Sequence, residues 1–291
     1  MEHAVLGAGA VGGLVGTSLA SLGEEVTLLV RPERLPDYPA NLSVERPSGT
    51  LTAPAKAAAT LARRVDVLWI ATKTYQLKAA LKSVQSLPRC VVPLLNGVDH
   101  VEVLRAHFGQ DSVLPATIAV EAEGIAPGRF VQRSPFVNLN LAASGEPVLG
   151  AFVAGLRGLG FTCRFIEKEQ TLLWSKLCFL GPFALATSAS GMNKGEIYAS
   201  AEWKPKLFSA VTEACAVAKA SGAEVNEAAI RAIFDGAASG MRSSMQKDLV
   251  SGRQLELDAI GRPIVRGGQH YGIDVPTTAA LIAAIRSKTN E

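Results

Sequence analysis

Residues 4–14 read Ala-Val-Leu-Gly-Ala-Gly-Ala-Val-Gly-Gly-Leu, a short apolar run that leads into closely spaced glycines. This order is typical of a β-strand followed by a tight turn and a helix. Gly7 would allow the turn, Gly9 would let the backbone approach a pyrophosphate, and Gly12 would let the helix pack on the strand. Glycine-rich turns also occur for structural reasons alone. The strand before this turn and the helix near Ala10 nevertheless favour a dinucleotide site.

The second predicted strand, at residues 25–30, is followed by Arg31, about twenty residues after the glycine loop. An acidic residue here accepts hydrogen bonds from the ribose 2′-hydroxyl of NAD, whereas arginine offers a bidentate cation to a 2′-phosphate. Arg34 lies close enough in sequence to assist. A solvated surface arginine is the alternative interpretation. The pattern therefore predicts NADPH rather than NADH as the cofactor.

Short β-rich runs alternate with helical patterns up to about residue 165. Several of the runs are apolar on both faces, which is typical of parallel strands covered by helices. Pro127 and Gly128 predict a hairpin with arms at 128–133 and 136–141. Strands are expected at 3–7, 25–30, 41–45, 65–71, 90–95 and 113–120, and helices at 11–22 and 76–86.

Beyond Phe165 only helical patterns continue, at 172–180, 203–220, 227–234, 244–249, 257–270 and 277–288. We therefore predict an α/β fold: a Rossmann-type, doubly wound parallel sheet domain over residues 1–166, followed by an all-helical C-terminal domain over 167–291. The long helices of the second domain could support a homodimer.

The composition favours a small-molecule partner. The net charge is +3 over 291 residues and the charges are scattered, so nucleic acid is not expected as a partner. The four cysteines lie far apart, without histidines at metal-ligand spacing, which predicts free thiols in the cytoplasm and no metal. The chain lacks a leader-like start and any run of about 18 uninterrupted apolar residues, so no membrane association is expected.

Two further residues follow predicted strands directly. Lys73 comes after the strand at 65–71, and Asn96 comes after the strand at 90–95. An open parallel sheet binds its ligand at the carboxyl ends of its strands. Either residue alone could be an ordinary loop residue, but both beside a glycine loop favour contact with a ligand.

Lys176 is the one cation in the apolar helical run from Trp174 to Phe179. Such a lysine usually extends its ammonium to solvent. If it instead faces a site shielded from water, desolvation lowers its pKa toward neutrality and makes it a usable proton donor. The spacing alone leaves both interpretations open.

Together these motifs resemble the ketopantoate reductase (2-dehydropantoate 2-reductase) family. Its members use NADPH to reduce a 2-oxo acid to a 2-hydroxy acid, ketopantoate to pantoate in pantothenate biosynthesis. The resemblance covers nearly the whole chain. It rests on the glycine loop, Arg31 and the motifs at 73–76, 96–97, 174–176, 195–196, 243–245, 256–258 and 272–277.

The resemblance implies a role for each motif. Lys176 would be the general acid that protonates the developing alkoxide, and Glu256 would lie close to the reacting centre. Asn96 would lie between nicotinamide and substrate, and Ser244 would contact the substrate carboxylate. The cofactor would be bound by Gly7, Ala8, Gly9, Ala10, Val11, Gly12, Arg31, Lys73, Asn96 and Ala122.

The substrate half of the motif set departs from the family. Family members carry asparagines one and two turns after the lysine, where this chain has Leu180 and Ala184. A third asparagine is replaced by Lys194, although Asn193 lies beside it. Leu180 and Ala184 would line a less polar substrate site.

Three hypotheses stay open at this point. The substrate is a different, less polar 2-oxo acid; or it is ketopantoate, held by a rearranged pocket; or the protein binds or senses NADPH without catalysis. The presence of Lys176 and Glu256 argues against the last, because a protein that only binds NADPH has no use for an acid at the site.

Overall fold

The computed structural model describes residues 1–289, which divide into two compact units. The first unit comprises Met1–Leu95 and His100–Glu167, and the second comprises Asn96–Asp99 together with the chain from Lys168 onward. The division falls one residue after the predicted boundary at 166. The short segment Asn96–Asp99 lies within the predicted first domain, but in the structure it belongs to the second unit.

The first unit contains all the strands and four helices of the described chain. Its helices are α1 (Ala10–Ser21), α2 (Leu77–Ala80), α3 (His100–Phe108) and α4 (Glu146–Gly158). Its strands are β1 (Glu2–Leu6), β2 (Glu25–Leu29), β3 (Asn41–Arg46), β4 (Gly49–Pro54), β5 (Lys56–Ala58), β6 (Val67–Ile70), β7 (Cys90–Pro93), β8 (Ala116–Ala119), β9 (Ala122–Ala126), β10 (Arg129–Gln132), β11 (Val137–Ala142) and β12 (Phe161–Ile166).

Five of these strands form a parallel sheet in the spatial order β5-β2-β1-β6-β7. The four residues of β6 are fully buried, as a central strand covered on both faces must be. The order of the strands reverses at β1, so the chain leaves β1 toward β2 and later returns on its other side to β6. The predicted Rossmann-type parallel sheet is confirmed.

The predicted hairpin is only half right. β9 and β10 pair antiparallel around Pro127 and Gly128, and Gly128 has the positive φ of 69° that this tight turn requires. The predicted second arm instead forms β11, which pairs antiparallel with β8 and parallel with β12. Alternating buried residues such as Leu139 and Leu141 suit any half-buried strand, so they did not identify the partner. Two mixed sheets therefore accompany the parallel one, in the orders β4-β3-β10-β9 and β12-β11-β8.

The second unit is helical, as predicted. Its helices are α5 (Glu169–Ser190), α6 (Lys194–Ala199), α7 (Trp203–Ala220), α8 (Glu227–Gly236), α9 (Ser244–Val250), α10 (Leu257–Ile260), α11 (Arg262–Tyr271) and α12 (Pro276–Thr289). Helix α6 was not predicted. The predicted helix at 257–270 is divided at Gly261 into α10 and α11.

Helix α5 continues to Ser190, ten residues beyond its predicted end. Pro182 lies within it and is buried, so packing compensates for the backbone hydrogen bond that proline cannot make. The helix is long and apolar enough to cross a membrane by length and composition. However, 78% of its apolar window is buried inside the fold, as in the core helix of a helical unit. It packs against α7 and α12.

Candidate active site

The glycine loop follows β1 directly and consists of Gly7, Ala8 and Gly9. Gly7 has a φ of 99°, and a Cβ there would lie 2.8 Å from the carbonyl carbon of Ala71. A Cβ on Gly12 would lie 2.1 Å from the Gly7 oxygen. Contacts within the protein itself therefore require glycine at both positions.

Gly9 differs from the other two glycines, because a Cβ at this position would meet no atom within 4 Å. No side chain caps α1, so the N–H groups of Ala10, Val11 and Gly12 at its start face no side-chain acceptor. Open space beside unpaired amides at a helix N-terminus suits a pyrophosphate. The loop therefore fits the dinucleotide that the sequence predicts.

Tyr38 also contacts this loop, and no sequence motif indicates that contact. Its hydroxyl donates a hydrogen bond of 3.0 Å to the carbonyl oxygen of Ala8. Burial raises the pKa of this phenol, so the hydroxyl remains a donor. The two residues lie 30 positions apart, and no local motif indicates a contact over that separation.

The predicted 2′-phosphate residue, Arg31, directly precedes a short 3₁₀-helix, Pro32–Asp37, and is exposed. Within residues 1–289 its guanidinium has no ion pair, whereas Arg34 pairs with Asp37 at 3.3 Å. A free, exposed guanidinium at the end of β2 suits a 2′-phosphate.

Two further predicted cofactor residues, Lys73 and Ala122, lie beside strands of the same unit. Lys73 follows β6 and precedes the short 3₁₀-helix Thr74–Gln76. The hydroxyl of Thr72, beside Lys73, is buried without a hydrogen-bond partner in the described chain, so a ligand could provide one. Ala122 begins β9, a strand that passes the start of α1: a Cβ on Gly124 would lie 3.9 Å from the Ala10 nitrogen.

Three predicted residues of the second unit meet in one hydrogen-bonded series. The Lys176 ammonium donates to Asn96 Oδ1 at 3.0 Å, and Asn96 Nδ2 donates to Glu256 Oε2 at 3.2 Å. The amide of Asn96 thus bridges a cation and a carboxylate. Only one orientation of the amide satisfies both, because the reverse would bring N–H groups against the ammonium and an oxygen against the carboxylate.

The folding of the segment Asn96–Asp99 explains how these residues come together. Gly97 has a φ of 84°, and a Cβ there would lie 2.3 Å from the carbonyl oxygen of Ala259 in α10. The segment therefore lies directly against α10. This contact places Asn96 next to Glu256, which immediately precedes that helix.

Two opposing effects set the charge state of Lys176. Burial lowers its pKa to about 8, while the negative charge of Glu256 raises it. Glu256 is itself only 5% exposed. A lysine with this pKa is a better proton donor at neutral pH than an ordinary surface lysine.

The predicted substrate residues do not share one environment. Leu180 lies one turn after Lys176 and is half-buried at the edge of an apolar cluster. Ala184 is 0% exposed inside the same cluster, together with Met245 and Ile260. Ser244 is exposed at the first position of α9. In the described chain its hydroxyl makes no hydrogen bond to the protein, whereas that of Ser243 caps α9 and bonds Thr187 at 2.7 Å.

Neighbours of the predicted residues have structural tasks. Asn193 caps α6 in a capping box with Glu196. Asp258 is exposed and pairs with Arg286 at 3.3 Å. No group of three or more histidine, cysteine, aspartate or glutamate side chains that could hold a metal ion occurs in residues 1–289.

Comparisons with known proteins match both units. The family model described as "Ketopantoate reductase PanE/ApbA" matches residues 3–144, and that described as "Ketopantoate reductase PanE/ApbA C terminal" matches residues 169–289. The chain is 31% identical over 297 residues to a 2-dehydropantoate 2-reductase of Caulobacter vibrioides, with 98% of each chain covered.

Solved structures share the same fold over the full length. A PanE/ApbA family ketopantoate reductase from Ralstonia eutropha JMP134 is similar with a TM-score of 0.86 and 26% identity, covering 100% of this chain and 99% of that one. A D-mandelate dehydrogenase, solved with NADH and anilino(oxo)acetate, is similar with a TM-score of 0.87 and 21% identity at the same coverage.

Proposed function

The chain belongs to the ketopantoate reductase family, and we propose that it uses NADPH to reduce a 2-oxo acid, with Lys176 as the general acid. As a member of this family it is an oxidoreductase that acts on CH–OH groups. The observation that carries the finer proposal is the series of Lys176, Asn96 and Glu256, which holds a half-buried ammonium of lowered pKa at a fixed position.

The chemistry of this series fits carbonyl reduction. A bound reduced nicotinamide supplies a hydride to the carbonyl carbon. Negative charge then develops on the carbonyl oxygen, where the Lys176 ammonium stabilises it and donates a proton. Asn96 accepts a hydrogen bond from one N–H of the ammonium, so the other N–H groups are available to the substrate. Glu256 keeps the ammonium protonated despite burial.

NADPH is proposed over NADH because of Arg31. The similar D-mandelate dehydrogenase was solved with NADH, so the fold alone does not decide between the two nucleotides. The choice then depends on the side chain at the end of β2, which here is an exposed guanidinium with no acceptor for a ribose hydroxyl. The glycine loop, Lys73, Asn96 and Ala122 complete the proposed cofactor contacts.

For the substrate, one observation favours a less polar 2-oxo acid over ketopantoate. Leu180 places an apolar, half-buried side chain one turn from Lys176. Ala184 is too deeply buried to offer a substrate any surface as the fold stands. The relative of 31% identity is named for ketopantoate reduction, and the D-mandelate dehydrogenase was solved with anilino(oxo)acetate. Ketopantoate therefore remains the second candidate.

The remaining features of the proposal concern the whole protein. The four cysteines are buried and free, which fits the reducing cytoplasm. A homodimer through the helical unit stays a prediction. A protein that only senses NADPH is disfavoured, since a half-buried lysine of lowered pKa beside a buried glutamate would then serve no chemical purpose.

Substituting Lys176→Ala tests the proposed acid. We expect kcat for 2-oxo acid reduction to fall roughly 100- to 10,000-fold, the usual contribution of a positioned acid. NADPH affinity, measured by fluorescence titration, should stay unchanged. Lys168→Ala is the matched control, because Lys168 immediately precedes the same helix but pairs with Glu224 at the surface. Full turnover in Lys176→Ala would remove Lys176 from its role.

A further inference from the structure

Two lysine ammonium groups lie against a single tyrosine ring in the second unit. Nζ of Lys194, in α6, lies 4.1 Å from the centroid of the Tyr198 ring. Nζ of Lys204, in the first turn of α7, lies 4.7 Å from the same centroid. Two like charges at one ring repel each other, and an anion bound by both would relieve that repulsion.

Neither cation has an ion-pair partner in residues 1–289, since no carboxylate of this part of the chain lies within 4 Å of either ammonium. The nearby acidic residues have other partners: Asp235 accepts from the Tyr198 hydroxyl at 3.0 Å, Glu196 accepts from the Asn193 N–H, and Glu202 pairs with Lys206.

Lys194 is also buried, with only 8% of its surface exposed. A buried charge ordinarily has a partner of opposite charge, because burial removes its hydration. A contact with an aromatic face returns only part of the hydration that the ammonium loses. Lys206 gives the contrast within the same chain, since it lies 4.7 Å from the Trp203 ring but also has its carboxylate.

The ring and the buried lysine are both fixed in place. The Tyr198 hydroxyl donates a hydrogen bond to Asp235, and burial together with this hydrogen bond raises the pKa of the phenol. The backbone N–H of Lys194 donates to the Met241 oxygen at 2.9 Å, which ties the start of α6 to the loop before Ser243 and α9. A preorganised ring and cation cost little further ordering when an anion binds.

We propose that Lys194, Tyr198 and Lys204 form a binding site for a carboxylate of a small-molecule ligand. Where the ligand is the substrate, this inference rests on the proposed reduction of 2-oxo acids. The carboxylate would then be the one next to the carbonyl, or a second one at the far end of a dicarboxylic 2-oxo acid. A separate carboxylic acid would be bound by the same chemistry.

The site lies in the same unit as Lys176, and rings connect the two regions. Phe179, three residues after Lys176, packs on Phe234 at 4.5 Å between centroids. Phe234 contacts Phe208 at 6.3 Å, and Phe208 contacts Tyr198 at 5.9 Å. Phe234 is fully buried, so these ring contacts are core packing that holds Tyr198 at a fixed position relative to α5.

The first arm of the test is kinetic and compares 2-oxoglutarate with 5-methyl-2-oxohexanoate, in which an isopropyl group replaces the distal carboxylate. Both are assayed with NADPH at constant ionic strength, on the full chain and on Lys194→Met. A distal carboxylate in the site predicts that kcat/KM falls roughly tenfold or more for 2-oxoglutarate alone. A carboxylate next to the carbonyl predicts the same loss for both acids, through KM rather than kcat.

The second arm measures binding without turnover. Succinate is titrated into the protein and followed by NMR, so this arm holds even if no 2-oxo acid is reduced. Binding that is lost in Lys194→Met, with unchanged kinetics, identifies a separate carboxylate ligand. If Lys194→Met does not fold, Lys204→Met gives the same comparison, because Lys204 is exposed. Lys206→Met is the matched control, because Lys206 lies two residues further along the same helix and already pairs with Glu202. The site is overturned if both lysine variants match the wild type in kinetics and in succinate binding.

Discussion

The charge of Lys176 at a given pH depends on the balance between burial and Glu256. Burial lowers its pKa to about 8 and Glu256 opposes this. A general acid must be protonated, so we expect kcat to be level below pH 8 and to fall as the pH rises through this value. Glu256→Gln removes the opposing charge. The falling limb should therefore move to lower pH in a pH–rate profile of kcat.

Asp258→Asn is the matched control for this profile. Asp258 lies two residues after Glu256 but is exposed and pairs with Arg286, so its loss should leave the limb in place. If Glu256→Gln also left the limb unmoved, the carboxylate would not act on the proton of Lys176.

Arg31 determines the cofactor preference in the proposed function. Arg31→Ala removes the guanidinium that would bind the 2′-phosphate, and a charge-assisted hydrogen bond is worth about 1.5–3 kcal/mol. We expect the Kd for NADPH to rise roughly 10- to 100-fold and that for NADH to stay the same. Fluorescence titration of both nucleotides measures this. Arg34→Ala should have a smaller effect on the Kd for NADPH, because Arg34 already pairs with Asp37. Equal affinities of the wild type for NADPH and NADH would exclude Arg31 as the residue that selects the cofactor.

Residue types could be predicted from the sequence, but their contacts could not. Lys176 and Asn96 lie 80 positions apart, and Asn96 and Glu256 lie 160 apart. The apolar helix around Lys176 fits either a solvent-directed or an enclosed ammonium. Its burial and its bond to Asn96 are tertiary effects, set by the approach of the segment Asn96–Asp99 to α10.

At the scale of single elements, the glycines of the loop differ in what requires them. The fold itself requires Gly7 and Gly12, whereas Gly9 borders open space that a ligand can fill. Gly12→Ala should destabilise the protein, because its Cβ would overlap the Gly7 oxygen. Overpacking of this kind typically costs about 1–3 kcal/mol. Gly9→Ala meets no protein atom and should leave Tm nearly unchanged while weakening NADPH binding. Thermal melts and NADPH titration of both variants check this, and unweakened NADPH binding by Gly9→Ala would place the pyrophosphate elsewhere.

The elements themselves were predictable where a local pattern is decisive. The strand, turn and helix at the start of the chain follow from glycines whose positions are fixed by backbone contact. The extent of α5 could not be predicted locally, because Pro182 normally breaks a helix and only tertiary packing allows it within this one. The partner of β11 was missed for a related reason: alternation predicts a strand but not its neighbour.

At the scale of the whole chain, the two predicted classes of structure are present, a parallel α/β unit and a helical unit. The assignment of Asn96–Asp99 to the second unit could not be foreseen. These residues directly follow an apolar strand, and local sequence places them with it. Their packing against α10 depends on Gly97, whose positive φ and close contact with Ala259 appear only in the folded chain.

NADPH-dependent reduction of a 2-oxo acid is tested most directly by following NADPH oxidation by the full chain. The panel of acceptors includes ketopantoate and 2-oxo acids with apolar side chains, and the product is identified for each. We expect NADPH to be consumed in step with formation of the 2-hydroxy acid, with acceptors that lack the hydroxyl of ketopantoate preferred and with NADH less effective. NADPH that binds tightly while no 2-oxo acid in the panel is reduced would contradict the proposed function.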